Sequence, residues 1–435
     1  MRKKSIKILF AIIALMMGMS AQAANVITMI TLRSTNSTIF LRFIPSGSYT
    51  ISGATGTYDS NGSDYTLTSD TVSITGDISF LDCSSDSLKA LDVSRDSVLS
   101  SLLCYQNCLT KLDVSNCPAL TKLNCDNNSL TKLDLSNCPN LTRLNCNLNR
   151  LTSLDLRNNT ALTTCNCYDN GLSKLDVSKC SKMTDLLCYD NNLTVLDVSN
   201  NSALKTLFCG NNKLDSLNVS NNTALTGLYC YRNRLTKLDV SNNTKLKILS
   251  LRTNLLDSLD VSNNTALTRL YFGENNLKNI DVSNNTALTF LGCDNNKLTK
   301  LDVSNCTDLL NLECYRNLIK GEQMDALIST LVDRTGNTAG TFVVVSTDNA
   351  TNVCTTAQVT AAKAKYWNVK SINAQGEFID FAGSDATSVA PISADENATV
   401  IAIYNLNGQK LSHPQPGLNI LKLSNGTVKK FFLKE

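Results

Sequence analysis

The residues of this sequence that could do chemistry are its cysteines, its histidine and a regular series of aspartates. The chain has 435 residues, with 17 cysteines and one histidine, His413, near the end. One distant histidine cannot supply a Ser-His-Asp triad, a Cys-His pair or a histidine-based metal centre in the body of the protein. The cysteines are numerous enough for disulfides or a metal site, and their spacing decides how they are interpreted.

Ten cysteines lie in one column with a period of 21 residues. They are Cys83, Cys104, Cys125, Cys146, Cys167, Cys188, Cys209, Cys230, Cys293 and Cys314. Leu251 and Phe272 occupy the two remaining places of this twelve-place column. In nine of the ten, a leucine precedes the cysteine by two residues, which places both side chains on the same side of an extended strand. We therefore expect buried, reduced thiols that act as small apolar residues, and no metal site or cofactor, since no CxxC pair accompanies them.

A second column with the same period consists of LDVS-like tetrads. Their first residues are at positions 91, 112, 133, 154, 175, 196, 217, 238, 259, 280 and 301, with no insertion or deletion. Four other cysteines fall at the asparagine place that follows these tetrads, namely Cys117, Cys138, Cys180 and Cys306. Only Cys108, Cys165 and Cys354 lie outside these places, and the sequence leaves their redox state open.

Each 21-residue unit contains two shorter copies of one pattern. The first copy reads LTxLxCxNNx and the second LTKLDVSNNTA, and both follow L-x-x-L-x-L-x-x-N with Cys or Val at the third apolar place. This pattern resembles the leucine-rich repeat signature over about residues 78–320. The nested ten and eleven residues are similar to a class of bacterial leucine-rich repeats with LxC and LDV strands. Since one coil cannot bury its inward residues alone, we predict a β-rich solenoid of about 11–12 stacked coils with two parallel sheets.

The sequence changes character on either side of the repeats. Residues 1–23 are typical of a cleaved signal peptide, with a charged start, an apolar run and an AQA cleavage site. Short β-like runs over 24–78 predict an N-terminal β cap for the solenoid at 79–320. Helical spacing followed by strand-like runs predicts a C-terminal α/β cap over 321–381, with Trp367 in its core.

The end of the chain resembles a known targeting module. A linker rich in Ala, Ser and Asp, 382–396, precedes a segment at 397–435 that contains IYNLNGQ, GLNIL and KKFFLK. These stretches resemble C-terminal sorting domains of the type IX secretion pathway. The resemblance implies a protein secreted by, or displayed on, a bacterium with an outer membrane. A small β accessory module is the alternative.

Charge and hydropathy argue against nucleic acid and against a membrane span. The formal charge of +3 comes from 40 Lys and Arg against 37 Asp and Glu. Removal of residues 1–23 takes away four basic and no acidic residues, which leaves 36 against 37, or −1. This balance gives no electrostatic basis for binding nucleic acid. No stretch is long and apolar enough to cross a bilayer.

The two halves of the repeat differ in how much they vary. We call the outward residues around the LDV segments the LDV face, and those around the LxC strands the LxC face. The LDV face carries an aspartate in ten of its eleven tetrads, and we interpret it as structural. The LxC face carries aromatic residues and arginines that change from coil to coil. The predicted ligand-binding residues are Tyr168, Tyr189, Phe208, Tyr229, Tyr231, Arg232, Arg252, Arg269, Tyr271 and Phe290.

These observations predict a binding protein without catalysis, located outside the cytoplasm. Aromatic residues and arginine are the types enriched at recognition surfaces. The expected partner is another protein or a surface glycan, in adhesion or in recognition of a host or partner. One alternative is a structural surface or matrix protein, in which large residues only fill cross-strand pairs. A more remote alternative is a carboxylate-based hydrolase, which the repetitive aspartates support poorly because no pocket is evident.

Overall fold

The structure is a computed structural model that describes residues 25–384, 400–405, 408–415, 417–424 and 428–433. The predicted signal peptide and residues 385–396 of the predicted linker lie outside these ranges. The chain divides into two compact units, Met1–Leu162 and Thr163–Glu435, which we describe one at a time. No helix in the described ranges has the length and apolarity that a membrane crossing needs.

The first unit begins with a β region that covers the start of the repeats. Its strands are β1 (Val26–Thr31), β2 (Thr38–Pro45), β3 (Thr50–Ser52), β4 (Ala54–Thr55), β5 (Ser63–Leu67), β6 (Thr71–Thr75), β7 (Ile78–Asp82) and β8 (Leu88–Asp92). Four of them form an antiparallel sheet in the order β3-β6-β1-β8, while β2 pairs with β5 and β7. Alternate residues point inward, as in β1, where Ile27 and Met29 are buried.

Two aspartates at asparagine places join this region to the first coil. The Asp86 carboxylate accepts a hydrogen bond from the Phe40 amide at 2.9 Å, and that of Asp96 accepts one from the Ile78 amide at 3.0 Å. Both side chains are buried. The first coil therefore departs from the consensus because its neighbour is an antiparallel sheet instead of another coil.

The repeats form short parallel strands at the LxC segments. In the first unit these are β9 (Ser101–Leu103), β10 (Lys122–Asn124) and β11 (Arg143–Asn145), and β7 pairs in parallel with β9. In the second unit they are β12 (Thr164–Asn166), β13 (Asp185–Leu187), β14 (Thr206–Phe208), β15 (Gly227–Tyr229), β16 (Ile248–Ser250), β17 (Arg269–Tyr271), β18 (Phe290–Gly292) and β19 (Asn311–Glu313). Leucine lies opposite leucine, as in Leu207–Leu228, so each coil advances the sequence by 21 residues.

The core of each coil is made by the inward columns that the sequence predicts. Leu228, Cys230 and Val240 have no exposed surface, and Phe272 is equally buried at its cysteine place. All ten column cysteines are buried, and their burial confirms the prediction of inward side chains. Of the three cysteines off the columns, Cys165 and Cys354 are buried and Cys108 is exposed.

Asparagine side chains connect successive coils at two places. In the first half, the Asn233 amide group donates to the carbonyls of Cys209 at 3.0 Å and Cys230 at 3.2 Å, and its oxygen accepts from the Leu214 amide. In the second half, Asn222 donates to the carbonyls of Val198 and Asn201, both at 2.9 Å. These bonds satisfy backbone groups that the short strands leave without partners.

The prediction of a second parallel sheet at the LDV segments is wrong. After β8, none of these segments forms a strand in the described coils, and an isolated bridge joins Asp92 to Asp113 in the first unit. The backbone groups of these segments form hydrogen bonds within their own coil. In a typical coil the Asp197 carboxylate accepts from the Ser199 amide at 2.9 Å, and the Val198 carbonyl accepts from the Asn201 amide at 2.9 Å. Because these local turns occupy polar groups of the backbone, the LDV segments of neighbouring coils form no ladder of hydrogen bonds with one another.

The second unit ends in an α/β region and a small sheet. The α/β elements are α1 (Glu322–Thr330), β20 (Gly340–Ser346), α2 (Thr356–Ala364), β21 (Trp367–Ile372) and β22 (Phe378–Asp380). Strand β20 extends the parallel sheet beside β19, and Trp367 is buried, as predicted, with its indole N–H donating to the Val332 carbonyl at 2.9 Å. The last strands are β23 (Val400–Tyr404), β24 (Lys410–Leu411), β25 (Gly417–Leu423) and β26 (Val428–Leu433), in the order β24-β23-β25-β26.

Candidate interaction face

Six of the seven predicted aromatic residues, all except Tyr231, form two groups of adjacent rings on the LxC face of the second unit, which we call the two stacks. Tyr168 is parallel to Tyr189, with ring centroids 4.3 Å apart, and Phe208 is parallel to Tyr229 at 3.8 Å. Tyr189 and Phe208, at 6.3 Å, join these pairs into one stack of four rings. Tyr271 and Phe290, 4.6 Å apart, form a second stack on the other side of β16. The rings are half-buried because each covers part of its neighbour.

Glycines on the same face leave room for these rings. A methyl group added at Gly210 would lie 2.6 Å from the Tyr231 ring, closer than a real side chain can approach. Additions at Gly227 and Gly292 would lie 3.1 Å from the rings of Tyr229 and Phe290. At these three places the residue types on the LxC face are correlated, because a glycine accommodates a large ring from the same or an adjacent coil.

A depression opens between the two stacks, and we call it the Ser250 slot. Its volume is about 450 Å³, and Ser250 lies at its base in register with Tyr229 on one side and Tyr271 on the other. Its lining residues are Tyr229, Tyr231, Arg232, Ile248, Ser250, Arg252, Thr253, Arg269, Tyr271 and Glu274. The slot exists because the outward place that holds an aromatic ring in the neighbouring coils holds a serine here.

The three predicted arginines have different environments. Arg252 is paired with the buried Asp294 at 2.7 Å and with Glu274 at 2.8 Å, and Glu274 also accepts from the Thr253 hydroxyl at 2.7 Å. These contacts hold Arg252 against the wall of the slot, so it is less available to a partner than the sequence suggested. Arg232 and Arg269 are exposed, and neither forms a salt bridge with another described residue.

The LDV face has a different chemistry. Hydrogen bonds from the hydroxyl and backbone amide of Ser199 hold the pKa of Asp197 below its ordinary value, and Ser241 does the same for Asp239. In these two coils the charged form of the aspartate is therefore stabilised by the serine two residues later. Elsewhere on this face Arg157 pairs with Asp155 at 2.6 Å. No group of three His, Cys, Asp or Glu in the described residues has the arrangement of a metal site.

The predicted set of ligand-binding residues contains the aromatic and arginine residues of the slot but not its four other lining residues. Ser250, Thr253 and Glu274 are small or acidic, and Ile248 is aliphatic, so none matches the aromatic and arginine types that were selected. A detectable signal was present, since Ser250 interrupts an otherwise aromatic column at Phe208, Tyr229 and Tyr271.

Comparison with solved structures settles the fold. The functional domain of InlJ from Listeria monocytogenes, which includes a cysteine ladder, is 27% identical with a TM-score of 0.60, over 85% of this chain and 94% of that one. The fold is that of the leucine-rich repeat. The solenoid has about 11 turns, and the internalin InlF from the same species gives the same TM-score at 21% identity over 67% of this chain and 86% of that one. No protein-family model matches the chain, and no curated protein sequence matches it.

Proposed function

We propose that this protein is a secreted or cell-surface leucine-rich repeat protein that binds a protein or glycan partner on the LxC face and catalyses no reaction. The observation that carries the proposal is the Ser250 slot, where aromatic rings and two exposed arginines meet on a rigid sheet. Tyrosine and arginine are the residue types that most often dominate binding energy. Because the coils hold these side chains in place, little conformational entropy is lost on binding.

The two terminal segments of the chain support a role outside the cell. The start of the chain has the pattern of a cleaved signal peptide, and its end resembles a type IX sorting domain. Solved leucine-rich repeat structures from Listeria monocytogenes share the fold. We infer export through a cleaved signal peptide. N-terminal sequencing of the exported protein tests this part, with a first residue near Ala24 expected.

One observation favours the second candidate, a structural surface protein without a ligand. The aromatic rings stack mainly on one another, and such cross-strand contacts stabilise a sheet even where no partner binds. This role predicts that loss of the rings lowers stability and leaves all interactions of the protein unchanged.

A capture experiment separates the two candidates. Purified protein without residues 1–23 is used to probe a glycan array and to capture proteins from lysates of candidate partner cells. The paired variant Tyr229→Ala with Tyr231→Ala is the test, and Asp197→Ala on the LDV face is the control. A partner retained by the wild type and the control but lost from the paired variant supports the binding role. Identical capture by all three folded proteins contradicts it.

A further inference from the structure

The Ser250 slot has the shape to hold one bulky group between two ring faces. Phe208 covers one face of Tyr229, and Phe290 lies against one side of Tyr271. Ser250 is in register between Tyr229 and Tyr271, and both rings line the slot, so Phe208 and Phe290 leave part of each ring open to it. The strands that carry these rings are two coils apart, or about 9.6 Å at the usual strand spacing. That separation leaves room for a side chain and excludes a second layer of backbone.

Charge is placed at the two ends of the slot. Arg269 immediately precedes the leucine of β17, and Arg232 is in the turn after β15, so one lies at each end of the strand segment. Between them Arg252 is neutralised by Glu274 and Asp294. An occupant therefore meets apolar walls at the centre and an unpaired cation at either end, which is complementary to an apolar group flanked by carboxylates.

The polar lining favours a peptide over a sugar. None of the ten lining residues is Asn, Gln or Asp, and the single carboxylate, Glu274, is already occupied by Arg252 and Thr253. The acceptors left for a sugar are therefore the hydroxyl groups of Ser250 and the three tyrosines. Sugar hydroxyls that lose water need both donors and acceptors to replace it, and an unpaired buried hydroxyl is costly. An apolar side chain has no such requirement, while its acidic neighbours can pair with the arginines.

We propose that the Ser250 slot binds an acidic segment of a partner protein, with a large apolar side chain inserted over Ser250 and flanking carboxylates paired with Arg232 and Arg269. This inference rests on the proposed binding role of the LxC face and specifies the partner's chemistry. It also makes Ser250 the residue that determines specificity, because a tyrosine there would fill the slot and complete the aromatic column.

Three labelled peptides and one acidic sugar test the proposal. The peptides are GDEWEDG, the charge-reversed GKKWKKG and the side-chain-deleted GDEGEDG, and the sugar is a linear trimer of galacturonic acid. Binding is measured by fluorescence anisotropy at concentrations up to about 1 mM, the weakest affinity that a single occupied slot is expected to give. We expect GDEWEDG to bind at least about tenfold more tightly than the other three probes.

Matched variants locate the binding. Ser250→Tyr and the pair Arg232→Glu with Arg269→Glu should each weaken binding of GDEWEDG by about tenfold or more. The controls are Asn145→Tyr, the same outward place in a coil of the first unit, and Arg234→Glu, an exposed arginine two residues after Arg232. Both controls should bind as the wild type does, and melting curves confirm that every variant is folded.

The outcomes separate this inference from the proposed function. Preference for the galacturonate trimer, equal binding of GDEWEDG and GKKWKKG, or no binding of GDEWEDG at about 1 mM overturns the inference. So does unchanged binding of GDEWEDG in Ser250→Tyr. If the capture experiment nevertheless identifies a partner that depends on Tyr229 and Tyr231, the LxC face keeps its binding role and only the acidic-segment assignment fails.

Discussion

The asparagines that join successive LDV turns should contribute much of the stability of the solenoid, and Asn243 offers a clear test. Its side chain is fully buried and donates to the Val219 carbonyl at 3.0 Å and the Asn222 carbonyl at 2.9 Å. Asn243→Ala leaves both carbonyls without these donors, at about 1–3 kcal/mol for each buried unsatisfied group. The Asn243 oxygen has no partner, so its removal offsets part of this cost. We expect a net loss of about 2–4 kcal/mol.

The preceding residue provides the matched control. Asn242 is exposed, and its amide donates to the Ser220 carbonyl at 3.3 Å. Asn242→Ala should change stability by no more than about 0.5 kcal/mol. Asn243→Cys should fall between the two, since cysteine occupies this place in other coils, where the Cys138 sulfur lies 3.6 Å from the Val114 carbonyl.

Urea unfolding followed by circular dichroism measures the three variants. The comparison requires equal m-values, because a changed slope would mean that coils unfold separately. Equal midpoints for Asn243→Ala and Asn242→Ala would refute the reasoning, since the buried bonds would then contribute no more than the exposed one.

Three further predictions concern pH, thiols and the backbone. Burial raises the pKa of Asp86 to about 7, against lowering by the Phe40 amide and Arg33, so the folded state keeps a proton that the unfolded state loses above about pH 4. The free energy of unfolding should thus fall as pH rises from about 4 to 7, by at most about 4 kcal/mol at 1.4 kcal/mol per tenfold change in proton affinity. Urea midpoints measured across this pH range should show that Asp86→Asn removes most of the fall. An unchanged pH dependence in this variant would contradict the assignment. The ten column cysteines should all be alkylated once the protein is denatured without reductant, and a Cys125–Cys146 disulfide peptide in the mass spectrum would disprove the reduced ladder. Leu148 has a φ of 53°, in the left-handed region that costs most residues about 1–2 kcal/mol. Because asparagine tolerates this region better, Leu148→Asn should raise the urea midpoint. A lowered midpoint would show that the leucine side chain contributes more stability than the backbone strain costs.

The inward half of the fold was predictable because strict columns report burial directly. Leucine and cysteine at fixed places gave the coil length, the parallel register and the buried thiols without any knowledge of the structure. The LDV face was misjudged because its alternating pattern fits a strand equally well. The choice against a strand is made by local hydrogen bonds that turn the chain within each coil, such as those from the Ser199 amide to the Asp197 carboxylate and from the Asn201 backbone amide to the Val198 carbonyl.

The turn geometry shows the same limit. Asparagine adopts the left-handed conformation more readily than most residues, so residue type alone would place that conformation at the repeated asparagine. In the structure the preceding residue does so, as in Arg232 with φ 50° and Thr253 with φ 58°, while the asparagine side chain bridges two coils. Because the residue type at this preceding position varies from coil to coil while its left-handed conformation is kept, the sequence does not indicate the conformation.

For the candidate site, the residue types on the LxC face were predictable, but their contacts were not. Nothing in the sequence distinguishes Arg252, which is paired with Asp294 from 42 residues later, from Arg232, which is exposed. The slot likewise depends on the residue that is small, Ser250, and not only on the residues that are large.

The most direct test of the central claim is a calorimetric titration of the captured partner against two variants, each shown by its melting curve to be folded. The central claim is that the variable LxC face binds and the constant LDV face supports it. Tyr229→Ala with Tyr231→Ala should lose about 2 kcal/mol or more of binding free energy, roughly a thirtyfold weaker affinity, because these rings form the wall of the slot. Asp197→Ala should bind as the wild type does. Normal binding by the paired tyrosine variant together with loss of binding by Asp197→Ala would contradict the account and assign recognition to the LDV face.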